Sequence, residues 1–342
     1  MKRFIVFLLV LLLLGAGAGA WFYMGVDRPF KGYDRAEQFV EIPQGSGSVA
    51  IARRLADAGV VHGVNDFRLA LWVTGAARRL QAGEYRFDRP MSPRQVVEKI
   101  ARGEVFVRPI TLPEGLTYTQ MAALYESKGF GPAQEFTDAA KHKALVSAVD
   151  PDAKDLEGYL FPDTYALPRH ATAEQLVARM VAGFMKALTP ELIDKADARG
   201  MSVRQLVTLA SIVEKETGNP AERPLVAAVY ANRLKIGMGL QCDPTVIYAL
   251  ERAGRYEGNL TRENLQFDSP YNTYRYAGLP PGPIASPGRA SLDAAANPAN
   301  VPYLYFVSKN DGSHAFATTL DEHNRNVQQY QVKYFRDQRQ KR

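Results

Sequence analysis

An uncharged N-terminal segment constrains this chain more than any other feature. Residues 4–24 carry no charged side chain and directly follow Lys2 and Arg3. A helix over this run would span about 30 Å, the thickness of a bilayer hydrocarbon core. The aromatic triplet at 21–23 suits a membrane interface, and the positive end is expected to stay cytoplasmic. We therefore predict a cytoplasmic stub and single transmembrane anchor over 1–24, with the rest of the chain exported.

A cleaved signal peptide is the alternative interpretation of the same segment. Residues 16–20 alternate alanine and glycine, which suits a cleavage site. The apolar character continues past these small residues, which favours the anchor. Both interpretations place the remainder outside the cytoplasm, beginning with a charged linker at 25–37.

Charge and composition exclude several function classes. The formal charge is +6, but it arises from Lys2, Arg3 and the tail from Lys333 onward, so no basic face for nucleic acid is expected. Cys242 is the only cysteine, and the five histidines show no zinc-ligand spacing. We expect neither a metal nor a cofactor.

Two similar segments, 70 residues apart, indicate two folded units. Ile42–Gly45 and Leu112–Gly115 each begin a pattern that predicts a strand, a glycine turn and an amphipathic helix. For the first unit, 38–107, the pattern predicts strand–helix–helix–strand up to residue 90. This order resembles a LysM glycan-binding module; the alternative is that the unit is a structural spacer. The second, 108–338, is a larger mixed unit, so the fold class is α+β.

The best-defined helix of the second unit is predicted over Ser202–Thr217. On a helical wheel Glu214 lies at the edge of the apolar face, whereas Glu216 lies outside it beside polar Gln205. A carboxyl on an apolar wall loses solvation, which favours its neutral, proton-donating form. A boundary glutamate paired with arginine is the structural alternative.

The end of the chain predicts a hairpin followed by a helix. Apolar runs at Tyr303–Val307 and His314–Ala317 flank the turn residues Asp311 and Gly312. Thr319 then forms a capping-box pattern that begins the last helix.

Several motifs, in order, resemble the endolytic murein transglycosylases of the YceG-like family. The similar segments are Leu156–Tyr165, Leu209–Thr217, Asn232–Leu234, Ile236–Met238, Leu240–Gln241, Asp243–Tyr248, Tyr271–Tyr274, Gly278–Ile284 and Tyr303–Val307. The resemblance extends over most of residues 40–335. One departure is Cys242, where a hydroxyl residue is expected.

The resemblance implies an activity and a catalyst. The family's catalytic glutamate falls on Glu214, which would protonate the glycosidic oxygen between MurNAc and GlcNAc. It would then take the proton of the C6 hydroxyl as a 1,6-anhydro ring closes. The resemblance implies that the substrate is the glycan strand of peptidoglycan. It also implies a single-pass protein of a bacterial inner membrane, with the catalytic unit in the periplasm and peptidoglycan synthases as neighbours. A lysozyme-like hydrolase and a non-catalytic peptidoglycan-binding scaffold are the alternatives.

Eight further residues are candidates for substrate binding, each with a structural alternative. Asp243 before Pro244 also suits a helix cap, and the tyrosines also suit loop packing. Glu157 and Asp163 are the candidates for a second carboxylate. The set is Gln241, Asp243, Thr245, Tyr271, Asn272, Tyr274, Glu157 and Asp163.

Overall fold

The computed structural model describes residues 12–14, 17, 19 and 23–340, and the predicted anchor lies largely outside them. Within those residues, no helix is both long and apolar enough to cross a membrane. The chain divides into two compact units, the first ending at Arg108 and the second beginning at Pro109. The α+β class is confirmed.

The first unit has the predicted strand–helix–helix–strand order, followed by a third helix. Strands β1 and β2 pair antiparallel, with Val40 opposite Tyr85. Tyr85 and Phe87 are fully buried in the core of this unit. The third helix begins after Ser92, which forms a capping box with Gln95. The elements are β1 Gln38–Ile42, α1 Ser48–Asp57, α2 Val64–Thr74, β2 Gly83–Phe87 and α3 Pro93–Ala101.

The second unit is mainly helical, with two small sheets formed by β3 with β4 and by β5 with β6. Its helices are α4 Tyr118–Ser127, α5 Ala133–Ala139, α6 Ala173–Ala187, α7 Pro190–Asp197, α8 Val203–Glu216, α9 Arg223–Lys235, α10 Asp243–Arg252, α11 Arg289–Ala296, α12 Leu320–Val327 and α13 Tyr334–Gln340. Its strands are β3 Arg108–Leu112, β4 Asp163–Leu167, β5 Tyr305–Ser308 and β6 His314–Ala317. Short 3₁₀ segments lie at Lys143–Val146 and Asn264–Gln266, and a π-helical segment lies at Gln328–Lys333.

The strand–turn–helix similarity of the two units corresponds to real structure. Gly45 follows β1 and Gly115 follows β3, with φ of 79° and 77°. This left-handed conformation costs glycine little and other residues more. The two turns are therefore alike, and each leads into a helix.

Helix α8 is the centre of the second unit. Its eight successive residues Leu206–Val213 are buried, because α9, α10 and α11 all pack against it. The predicted start is confirmed: the Ser202 hydroxyl accepts from the Gln205 N–H, and the Gln205 side chain accepts from the Ser202 N–H. The helix thus presents the glutamates of its last turn from a fixed base.

The predicted hairpin and final capping pattern are also present. Strands β5 and β6 pair antiparallel with Ser308 opposite His314. The Thr319 hydroxyl accepts from the Glu322 N–H at the start of α12.

Candidate active site

The two glutamates of the last turn of α8 enter different surroundings. The Glu214 side chain is only 5% exposed. Its Oε1 accepts from Arg223 Nη2 at 3.0 Å, and its Oε2 accepts from the N–H of Gly288 at 2.9 Å. Gly288 is the N-cap of α11, an end at which backbone N–H groups favour negative charge. Both oxygens of Glu214 are therefore occupied by protein donors.

Glu114, which the sequence reasoning did not select, completes this ionic cluster. It lies in the turn after β3, and its Oε2 accepts from the same Arg223 Nη2 at 3.3 Å. A Cβ on Gly288 would come within 1.8 Å of Glu114 Oε1, so a side chain at this position would displace the Glu114 carboxylate. Burial, and then the charge of Glu214, raise the pKa of Glu114. The only signal for Glu114 in the sequence is that the second of the two similar segments has a carboxylate at this position, where the first has Gln44.

Glu216 instead lines a cavity of about 330 Å³. Its Oε1 accepts from the Tyr230 hydroxyl at 2.6 Å and from Cys242 Sγ at 3.0 Å. Burial raises the pKa of Glu216, and the nearby charge of Asp243 adds to this, against the effect of the two hydrogen bonds. The wheel had placed Glu216 outside the apolar face; the packing of α9 and α10 around α8 explains why it is nevertheless desolvated.

Three of the predicted binding residues line the same cavity: Gln241, Asp243 and Tyr274. Gln241 has φ of 49°, a conformation uncommon for a residue with a side chain and frequent at functional sites. The Tyr274 hydroxyl donates to Asp243 Oδ1 at 2.5 Å. Asp243 is not the predicted N-cap; Cys242 holds that position, and Asp243 is the first residue of α10.

Thr245 and Asn272 lie beneath the cavity and support its wall. Thr245 is fully buried; its hydroxyl contacts the Cys242 carbonyl at 2.7 Å and the Thr273 hydroxyl at 2.9 Å. Asn272, also fully buried, donates to the carbonyls of Leu265 and Phe267 and accepts from the Tyr274 N–H. Their polar atoms hold the turns that carry Asp243 and Tyr274.

The cavity is also lined by Arg233, Tyr305 and His323, which the sequence analysis did not select as site residues. Tyr305 stacks on His323 with ring centroids 5.2 Å apart. Burial lowers the pKa of His323, which favours the neutral ring. Arg233 donates to the Leu304 and Leu240 carbonyls, so it holds the hairpin and the turn before α10 together. Tyr305 and Arg233 lie within motifs of the family resemblance, but the sequence alone gave neither a role at the site, and His323 lies in none of these motifs.

The remaining candidates lie elsewhere. Glu157 and Tyr271 line a second, smaller cavity. Asp163 is exposed at the start of β4, where its Oδ1 accepts from the Thr164 N–H. The structure thus divides the predicted residues among an ionic cluster, the Glu216 cavity with its supporting turns, and a second cavity, and it places Asp163 in none of them.

The Glu216 cavity has the properties of an acid–base site for a polar ligand. A carboxyl with a raised pKa keeps its proton to higher pH and can donate it to a ligand, and tyrosine rings and side-chain oxygens surround it. In the part of the chain that the structure describes, no cluster of His, Cys, Asp and Glu could hold a metal ion.

Comparisons with known proteins agree with the family that the motifs suggested. The model of the YceG-like family matches residues 40–329, and the chain belongs to this family. An endolytic murein transglycosylase of Bacillus subtilis is 32% identical over 85% of this chain and 84% of its own length. One of Streptococcus pneumoniae is 31% identical over 96% of this chain and 65% of its own length. The crystal structure of a protein of Listeria monocytogenes described as yceG-like matches with a TM-score of 0.58 and 32% identity, covering 84% of this chain and 98% of that one.

Proposed function

We propose that this protein is an endolytic peptidoglycan lytic transglycosylase whose general acid and base is Glu216. The names of the relatives support the reaction class. The observation that carries the assignment is the Glu216 carboxyl, its pKa raised by burial, in a cavity shared with Gln241, Asp243 and Tyr274. Tyrosine rings and carboxylate oxygens are groups that suit the faces and hydroxyls of a sugar.

The reaction needs one carboxyl in two successive roles. Glu216 gives its proton to the oxygen that joins MurNAc to GlcNAc, and the bond from MurNAc C1 to that oxygen breaks. The carboxylate then takes the proton of the MurNAc C6 hydroxyl, whose oxygen bonds to C1. The products are a free 4-hydroxyl on GlcNAc and a 1,6-anhydro-MurNAc end. No water is consumed, and the carboxyl finishes protonated.

Glu214, to which the family resemblance pointed, is less suited to these roles. Both of its oxygens are engaged by Arg223 and Gly288, so neither is available to a glycosidic oxygen without breaking a buried contact. In Glu216, by contrast, the Tyr230 hydroxyl and Cys242 Sγ both donate to the same oxygen, Oε1. We therefore assign Glu214 to holding the last turn of α8 in place.

A lysozyme-like hydrolase is the second candidate, because Asp243 shares the cavity with Glu216. Two carboxyls flanking a glycosidic bond are the usual arrangement of glycosidases. Asp243 Oδ1 is occupied by the Tyr274 hydroxyl, which ties this carboxylate to the cavity wall. This arrangement favours a binding role over a nucleophilic one.

The cellular setting is part of the same proposal. Residues 1–24 would anchor the chain in the bacterial inner membrane, with residues 25–37 as linker and the catalytic unit, 108–338, in the periplasm. Residues 38–107 would form a LysM-like unit that contacts glycan, and peptidoglycan synthases would be neighbours. The uncharged run after Lys2 and Arg3 supports the anchor.

Product analysis tests the proposal. The full-length chain in detergent would be incubated with long uncrosslinked glycan strands, and the products weighed by mass spectrometry. Ends of 1,6-anhydro-MurNAc, lost in Glu216→Gln, are expected. Hydrated reducing ends would establish the hydrolase instead. No cleavage by a folded, strand-binding protein would favour the scaffold.

A further inference from the structure

A second cavity lies in the same unit, at the other end of α10 from Asp243. Its volume is about 140 Å³, below the roughly 300–1,000 Å³ of sites that enclose a whole small molecule. It can therefore hold one substituent or ring edge of a larger ligand. Its lining includes Asp150, Lys154, Asp155, Glu157, Arg252 and Tyr271.

Two acidic groups of this cavity have no charge to offer a ligand. Asp150 forms a bidentate pair with Arg204 and accepts from the Tyr159 hydroxyl. Glu157 is only 3% exposed, and burial raises its pKa to about 8. It is held by donors from the Tyr118 N–H and the Tyr248 hydroxyl. The wall therefore presents a neutral carboxyl and a compensated ion pair.

Arg252 and Tyr271 are the groups positioned to meet a ligand. The Arg252 guanidinium lies 5.6 Å and 6.0 Å from the ring centroids of Tyr248 and Tyr271. One of its nitrogens donates to the Tyr248 hydroxyl, and Asp155 lies 3.6 Å away. Its side chain is still 46% exposed. A planar donor beside a tyrosine ring offers hydrogen bonds and an apolar face together, without a large excess of charge.

Two elements connect this cavity to the Glu216 cavity. Helix α10 has Asp243 at its first residue and Arg252 at its last, a separation of about 14 Å along the helix axis. The loop Tyr271–Tyr274 contributes its first residue to the second cavity and its last to the Glu216 cavity. Even fully extended, that loop separates the two Cα atoms by at most about 11 Å. The two cavities are therefore close enough together for one polymer strand to span the distance between them.

We propose that the second cavity is a saccharide subsite, which takes the acetamido group and ring edge of an N-acetylated sugar of the same strand. Tyr271 supplies the ring face and Arg252 the hydrogen-bond donors to the acetamido oxygen. This inference rests on the proposed function and extends it: the protein grips the strand away from the bond that it cleaves. Longer strands then bind more tightly than fragments that fill the Glu216 cavity alone.

Binding measurements on an inactive background test the subsite. Glu216→Gln prevents turnover, and calorimetry compares a GlcNAc–MurNAc disaccharide with chains of three and four such repeats. Arg252→Gln is expected to weaken binding of the longer chains about 10-fold, since a hydrogen bond from a charged donor is lost. Disaccharide affinity should change by less than about 2-fold. In the active protein the same substitution should raise KM for long strands rather than lower kcat.

Arg255→Gln is the matched control, because Arg255 follows α10 closely but lies over the Phe267 ring, outside the lining of both cavities. It should leave both affinities as they are. Tyr271→Phe, which keeps the ring, should bind as the parent does, whereas Tyr271→Ala should resemble Arg252→Gln. Equal losses for short and long chains, or none, would overturn the subsite. If anhydro products still form in that case, the proposed function stands; absence of both cleavage and glycan binding would overturn both proposals.

Discussion

Glutamine substitutions at Glu214 and Glu216 should have opposite effects on stability and activity. Glu214→Gln removes the charge that pairs with Arg223, a residue only 8% exposed. Arg223 then keeps the 3.3 Å contact to Glu114. Removing one partner of a buried ion pair costs about 3–5 kcal/mol of folding free energy. The glutamine amide at position 214 can still accept one hydrogen bond, so the cost should lie at the lower end, about 3 kcal/mol.

The corresponding change in melting temperature can be worked out. For a unit of about 230 residues, each kcal/mol shifts Tm by about 2–4 °C. Glu214→Gln should therefore lower Tm by about 6–12 °C. Below the melting transition it should retain measurable cleavage, since Glu216 is unchanged.

Glu216→Gln should do the reverse. Its amide oxygen can still accept from Tyr230 and Cys242, and the cost of desolvating a charge is gone. Tm should stay the same or rise, while cleavage falls about 10²–10⁴-fold with the loss of the general acid.

Scanning calorimetry and a strand-cleavage assay measure both quantities on the same preparations. Full activity in Glu216→Gln, with inactivity in a Glu214→Gln protein of unchanged Tm, would refute this reasoning. The catalyst would then be Glu214, as the family resemblance first indicated.

Three further outcomes are expected. Activity should fall as pH rises through the raised pKa of Glu216, and Cys242→Ser should move that fall to lower pH, since a hydroxyl is a stronger donor to the carboxylate than a thiol; a flat profile from pH 5 to 9 would contradict the acid role. Burial raises the pKa of Glu157 to about 8 in the folded protein, against ~4.3 in the unfolded chain, so its contribution to stability is complete below pH ~4.3 and is lost as pH rises through about 8. Glu157→Gln should therefore be more stable than the parent at pH 8, by about 2–4 kcal/mol in denaturant titrations. Equal stabilities would argue against a buried neutral carboxyl. Asn272→Ala should cost about 2–4 kcal/mol, because two buried carbonyls lose their donor; a cost below 1 kcal/mol together with weaker glycan binding would instead make Asn272 a ligand contact.

Local signals predicted the elements of the fold well. Ser202 with Gln205, Thr319 with Glu322, and the Asp311–Gly312 turn act over a few residues, and each produced the expected helix or hairpin. Such hydrogen bonds depend only on neighbours in the sequence.

The site was harder to predict, because its geometry depends on packing between distant segments. A helical wheel treats one helix in isolation, but α8 is covered on several sides, so Glu216 was assigned to a polar face and proved to be desolvated. The Glu114–Arg223 contact joins residues 109 positions apart, and no spacing rule could indicate it. Gln241, Asp243 and Tyr274 line one cavity, but motif order alone could not separate them from Asn272 and Thr245, whose side chains are buried.

The last turn of α8 carries both Glu214, which is held by buried contacts, and Glu216, which lies at the cavity. Glu214 ties this turn to Arg223 of α9 and to the start of α11, and Arg223 also contacts the turn after β3 through Glu114. Glu216, two residues on, faces the cavity. A shift of the helix large enough to move Glu216 would have to break a buried ion pair. Any closing movement around a strand therefore falls to the parts facing Glu216, the Tyr271–Tyr274 loop and the β5–β6 hairpin. In the mechanism proposed above, Glu216 therefore keeps its position and the glycan strand moves toward it.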